Sequence, residues 1–149
     1  MKLLSQINDP ADLRKLPVAK LQPLADEIRE YMIETLSKIG GHTGASLGPV
    51  ELLLALHYAF DTPRDKLVID IGHQAYSHKI ITGRRDQFPT IRQYNGLSGF
   101  LRREESVYDV FNAAHAGTSI SSDHRIGAAR DLEGEGFHVM AFIGDRALS

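Results

Sequence analysis

From Leu21 onward the apolar residues Leu24, Ile28, Tyr31, Met32, Leu36 and Ile39 recur at three- and four-residue steps, which predicts an amphipathic, half-buried helix ending at Gly40-Gly41. Upstream, Asp9-Pro10 pairs a side-chain acceptor with a proline whose missing N–H costs nothing in a first turn, so a short helix runs to about Leu16. Gly41 to Gly48, reading GHTGASLG, is too rich in glycine and small residues for a regular element. Pro49 to Phe60 is apolar on most sides and predicts a helix destined for an interior or an interface. Asp61 to Asp65 is a turn, and Lys66-Leu-Val-Ile-Asp-Ile71 reads as a short strand covered on both faces, ending at Gly72-His73. A helix follows from about Gln74 to Ile81 and closes at Gly83. The polar, glycine-interrupted stretch Arg84 to Asp109 is long for a connection, and such loops are often functional. Thr118 to Leu132 predicts a helix, Gly134-Glu-Gly136 a turn, and His138 to Ile143 a second buried strand ending at Gly144-Asp145. Strand, helix and strand in this order give an α/β fold, an open and mostly parallel sheet flanked by helices.

The 149 residues, 42% apolar and 24% charged, have the size and balance of one ordinary globular domain. A net charge of -2, from 17 basic and 19 acidic residues, argues against nucleic acid and membrane surfaces as partners. With no cysteine, disulfides, thiolate nucleophiles and thiolate metal sites are excluded. The amino terminus lacks the apolar core of a signal peptide, and no apolar run reaches the roughly 18 residues of a membrane span, so a cytoplasmic protein is expected.

In open α/β sheets ligands gather outside the carboxyl ends of the strands. Two loops qualify, Gly72-His73-Gln74-Ala75-Tyr76 and Gly144-Asp145-Arg146. A Gly-Asp at such a strand end suits a phosphate-bound Mg²⁺, which takes one or two carboxylate oxygens. It also reads as a turn acid capping the next element, and on pattern alone both readings stand. Of seven histidines, His42, His73, His78 and His115 lie in glycine-bordered or small-residue loops, where a neutral imidazole can move protons or donate hydrogen bonds. Each also reads as an ordinary surface histidine. His73 and His78 are off the spacing of a helical zinc pair, and His57 in its apolar helix reads as a packed, hydrogen-bonded core residue. His124 and His138 have no supporting context. No GxxxxGK[ST], GxGxxG or GxSxG motif is present, which removes the commonest nucleotide and hydrolase readings.

The run from Gly40 to Asp109, with GGHTGASLG, GHQAYSHKIITGRR and GLSGFLRREES, resembles the 1-deoxy-D-xylulose-5-phosphate synthase family nearly throughout. The opening LLSQINDPADLRKL is similar too, and the likeness continues more loosely to Ser149. The resemblance implies that residues 1–149 are the amino-terminal part of a thiamine-diphosphate-binding domain, an incomplete thiamine-diphosphate-binding fold. It also implies a transketolase-like transferase of isoprenoid precursor biosynthesis that condenses pyruvate with glyceraldehyde 3-phosphate, losing CO₂, with thiamine diphosphate and Mg²⁺, as a homo-oligomer. By position, His42 resembles the histidine that moves protons near the reacting carbon, and His73 a cofactor-contacting one. Ala114-His115-Ala116 aligns with a Gly-His-Ser at the diphosphate, Asp145 with the first magnesium ligand of a Gly-Asp-Gly, and Arg146 and Ala147 with cofactor-binding positions.

Three departures bear on activity. Gly-Asp-Gly has become Gly144-Asp145-Arg146, so a bulky side chain is expected to obstruct the diphosphate. Gly-His-Ser has become Ala114-His115-Ala116, without the hydroxyl donor. Ser122-Asp123-His124-Arg125 brings charge to helix positions expected to pack inward, so that helix should shift, fray or stay exposed. The family's asparagine metal ligand and its activating glutamate have no counterpart up to Ser149, so the chain alone is expected to lack a whole site and to be inactive. The alternative expectation is a non-catalytic partner or split subunit that associates with an intact synthase through the face from Leu52 to Phe60.

Overall fold

The computed structural model describes residues 2–70, 72, 74–112 and 115–144. The chain divides into two compact units, Met1–Ala59 with His73–Gly99, and Phe60–Gly72 with Phe100–Ser149.

In the first unit, helix α1 (Pro10–Arg14) begins where the Asp9 carboxylate accepts from Ala11 N at 2.7 Å and Asp12 N at 3.2 Å, as its sequence predicts. Helix α2 (Leu21–Ile39) buries Leu24, Ala25, Ile28, Met32 and Leu36, the stripe its periodicity predicts. Its end is tied by Gly40 N donating to Leu36 O at 2.8 Å. The glycine-rich stretch that follows is not irregular: Thr43–Leu47 forms a five-residue helix, α3. Helix α4 (Val50–Ala59) buries Val50, Leu53, Leu54 and His57 and leaves Leu52 exposed. Helix α5 (Tyr76–Lys79) runs into a wider turn, Ile80–Arg84, whose helical dihedrals break at Thr82 and Gly83.

One apolar cluster holds this unit together. It joins Leu4, Ile7 and Leu13 to the α2 stripe, to Val50 and Leu54, to Tyr76, Ile80 and Ile81, and to Phe88, Ile91 and Leu97. Each fully buried large side chain contributes roughly 1.5–3 kcal/mol, so the cluster dominates the unit's stability. Phe88, Ile91 and Leu97 fall in the stretch read from sequence as a polar, glycine-interrupted connection; that expectation is corrected, because the segment anchors in the core through a short 3₁₀ turn, Phe88–Thr90. The Glu27 carboxylate accepts from Lys2 N, Leu3 N and Leu4 N at 2.9–3.2 Å and pins the start of the chain to α2.

Arg29 on α2 grips Glu51 on α4 through both guanidinium nitrogens, and its Nε donates to Leu47 O at 3.1 Å. The Arg29 hydrogen bonds, opposed by burial, hold the Glu51 carboxyl down at about 2, against an ordinary 4.5. A depressed folded value means stability that is complete above the unfolded value and lost as pH falls from 4.5 towards 2. Glu51 is 43% exposed, so solvent screening limits the pair, and Glu51→Gln should cost about 0.5–1 kcal/mol at pH 7. Urea unfolding at pH 7 and pH 3 checks this; a variant that loses as much as wild type between those pH values would show that Glu51 carries none of the acid sensitivity.

In the second unit, strand β1 (Lys66–Ile69) pairs in parallel with strand β2 (Val139–Phe142), with Lys66 opposite Val139 and Ile69 opposite Phe142. Helix α6 (Ser119–Glu133) precedes β2 and ends at Gly134, where Glu135 N donates to Arg130 O at 3.0 Å. An open parallel sheet in a chain otherwise built of helices is an α/β fold, as the strand-helix-strand order predicts. β1 is buried, but β2 is only half-buried, a correction to its reading as a buried strand. Among the described residues β2 has β1 as its one strand neighbour, so one of its edges has no sheet partner. The charged stretch in α6 neither breaks nor frays the helix: His124 and Arg125 stand exposed, where water solvates them. Asp123 keeps Oδ1 buried without a hydrogen-bond partner, and burial pushes its carboxyl above the usual range. Among the described residues no helix is long and apolar enough to cross a membrane.

Candidate functional site

Parallel strands end side by side, so the chain leaves both at one edge of the sheet. Asp70, directly after β1, donates its N–H to Phe142 O at 2.8 Å and so ties the two ends together. The chain therefore leaves both strands, after Asp70 and after Phe142, at the same edge.

The Asp70 side chain is 1% exposed, and its carboxylate reaches across the chain to the start of α6. It accepts from Gly117 N at 3.0 and 3.1 Å, from Ser119 N at 3.3 Å and from Ser119 Oγ at 2.6 Å. Thr118 Oγ1 donates to His115 O at 3.0 Å and closes the turn from its other side. Gly117 has φ +77, a left-handed conformation that favours glycine, and this lets the turn bend sharply into the helix. His115 and Ala116 are exposed on this turn, beside the shared edge of the two strands.

His42 belongs to the first unit, exposed, immediately before α3. At Gly41, with φ +152, an added Cβ would lie 2.9 Å from Leu36 Cδ2 and 3.3 Å from the Tyr76 hydroxyl. The chain thus passes against the core at Gly41 before His42 turns outward, a path that any larger residue would obstruct. His57 is a buried, hydrogen-bonded core residue, as its apolar helix predicts. His78, read as a loop histidine, is instead buried in α5, with its Nδ1 2.9 Å from His57 Nε2. Burial, then the neighbouring His78, Arg14 and Arg84, holds the His57 imidazole well below its ordinary value. His73, Ala114, Asp145, Arg146 and Ala147 lie outside the described residues.

The structure therefore brings the His115 turn together with the ends of both strands. Asp70, which arranges this, was missed in the sequence: the available signal was a single acid closing an otherwise apolar strand. His138, without context in the sequence, packs its ring against Phe60 at 5.5 Å, and its N–H donates to Asp65 at 2.7 Å, a structural role at the start of β2. A cavity of about 420 Å³ lined by Lys66, Arg103, Asp109 and Ile126 opens at the amino end of β1, the end away from Asp70. Among the described residues no group of three or more histidines and carboxylates is placed to hold a metal ion.

The family model described as 1-deoxy-D-xylulose-5-phosphate synthase matches residues 4–149. The chain belongs to this family. It is 55% identical over 147 residues to a 1-deoxy-D-xylulose-5-phosphate synthase of Caldanaerobacter subterraneus subsp. tengcongensis, covering 99% of the chain and 24% of that protein. It is 57% identical over 148 residues to the enzyme of that name from Methylacidiphilum infernorum, again covering 99% of the chain and 24% of the relative. With the Thermomicrobium roseum synthase the identity is 58% over 147 residues, 98% of the chain and 23% of the relative. The chain spans about a quarter of the length of these synthases.

Proposed function

We propose that residues 1–149 form the amino-terminal part of the diphosphate-binding domain of a 1-deoxy-D-xylulose-5-phosphate synthase, acting in the cytoplasm in association with a further synthase chain. The reaction is the condensation of pyruvate with glyceraldehyde 3-phosphate, with loss of CO₂. The observation that carries the reading is the Asp70-held turn, which presents His115 at the edge shared by the carboxyl ends of two parallel strands. An exposed imidazole at such an edge suits a phosphate oxygen, by donating a hydrogen bond to it. The exposed His115 on its held turn supports assigning the diphosphate half of the cofactor to this edge. The metal half falls to Asp145, with His73, Ala114, Ala116, Arg146 and Ala147 as further cofactor-binding residues and His42 as the proton-moving group. Thiamine diphosphate with Mg²⁺ supplies the electron sink for decarboxylation, and the protein's own share is to orient it and hold protons nearby.

The departures at Arg146 and Ala116 lead to weak binding and to no synthase turnover by the chain assayed alone. Titration of labelled protein with thiamine diphosphate and Mg²⁺, followed by NMR, should give weak saturable binding that Arg146→Gly tightens about tenfold, since the obstructing side chain is gone. Failure of both proteins to bind would sink the reading, and turnover by the unmodified chain would refute its inactivity.

A further inference from the structure

We propose that Asp70 is a positioning residue for the diphosphate site, acting through the backbone turn that carries His115. The proposal rests on the cofactor reading above and assigns a part to a residue that touches neither cofactor nor substrate.

Three features of the contact go beyond ordinary helix capping. The carboxylate belongs to the residue directly after β1, not to the residue before the helix, so it ties the position of the α6 start to the end of β1. Its acceptors take N–H groups from both sides of Thr118, the residue whose hydroxyl holds His115 O, so the turn is fixed at Gly117, Thr118 and Ser119 in succession. It is buried, and an acceptor removed from water makes strong, directional hydrogen bonds to amides and a hydroxyl. Amides taken up by Asp70 are also not available to an anion. Gly117 N and Ser119 N, which a free helix start would offer to a phosphate, point at a carboxylate instead. Recognition at this edge therefore falls to the His115 side chain, and the turn's work is to aim it.

Asp70→Asn is the direct test, because it keeps the size and one acceptor oxygen but sets an NH₂ against N–H donors. Ser119→Ala, which removes only the hydroxyl contact, serves in its place if Asp70→Asn does not fold. The full chain is titrated with thiamine diphosphate and Mg²⁺ as wild type, as each variant, as His115→Ala and as the double variants, and amide exchange at Gly117 and Ser119 is followed by NMR. Expected are amide exchange faster by about tenfold and cofactor affinity weaker by about tenfold in Asp70→Asn, the scale of losing a hydrogen bond to a charged group. In the His115→Ala background the same substitution should have almost no further effect on affinity, because a positioning residue has nothing left to position. Binding by wild type that Asp70→Asn leaves unchanged overturns the proposal while leaving the cofactor reading intact. Equal weakening with and without His115 also overturns it, since that is what general destabilisation gives. Absence of binding by wild type removes the cofactor reading, and the proposal with it.

Discussion

Phe88→Ala should lower the unfolding free energy by about 3–5 kcal/mol, the usual cost of emptying a fully buried aromatic site. The Phe88 ring is completely buried, with centroids 5.8 Å from Tyr31 and 5.6 Å from Tyr76, the latter edge-on at 70°. Neither neighbour can swing in to fill the gap cheaply. The Tyr31 hydroxyl donates to Arg85 O at 2.8 Å, and Tyr76 is buried against Gly41. Against a typical total of about 5–15 kcal/mol, such a loss removes a large share of the stability. Urea unfolding measures it as a lower midpoint at unchanged slope. A loss below about 1 kcal/mol would mean that the segment after Gly83 is not part of the core. Because Tyr76 backs Gly41, the cavity should also loosen the approach to His42, visible as faster amide exchange there.

The second large effect is acid lability from the His57–His78 pair. With Nε2 and Nδ1 2.9 Å apart, one nitrogen donates and the other accepts, so the pair tolerates a proton on only one of the two facing atoms. Burial first, then His78, Arg14 and Arg84, keeps His57 neutral to well below its ordinary 6.5. The unfolded chain takes up that proton near 6.5 and the folded chain does not, so stability is complete above 6.5 and falls as pH drops towards the folded value. One such group gives a slope of up to about 1.4 kcal/mol per pH unit. As pH falls below 6.5 the protein should therefore lose stability through this residue at up to that slope. His57→Gln should flatten that part of the profile even though its stability at pH 8 is lower. An equally steep profile in the variant would assign the acid sensitivity elsewhere.

Much of the helical framework could be read from spacing, because amphipathic helices expose their period. The stripe Leu24, Ile28, Met32, Leu36 went to the core as written, and Asp9-Pro10 capped its helix. Phe88, Ile91 and Leu97 follow no regular period, so a polar, glycine-broken stretch concealed three core residues whose burial depends on tertiary contacts alone. In GHTGASLG the glycine content masked Thr43–Leu47, which forms a short helix between two glycine-flanked ends. His78 is buried although its surroundings read as a loop, because all four residues of α5, including the large Tyr76 and Lys79, face the interior. At the site, the strand-end pattern pointed to the Gly72 and Gly144 loops and the family resemblance to His115, and pairing of β1 with β2 sets one edge at which both strands end. For Asp70 the lone acid in an apolar strand was the signal, but its partners lie 47 and 49 residues away and no local pattern reports such a distance.

The path of the chain between its two units also has a consequence during synthesis. The first unit needs residues 73–99 to complete its core, yet residues 60–72, including β1, emerge before them. β1 then waits for β2, since Asp65 and His138, which meet beside the paired strands, are 73 residues apart. At about 5–20 residues per second, that is a delay of roughly four to fifteen seconds at the ribosome, with Leu67, Val68 and Ile69 made but unpaired. During this interval the apolar side chains and open edge of the nascent strand are exposed to misassociation.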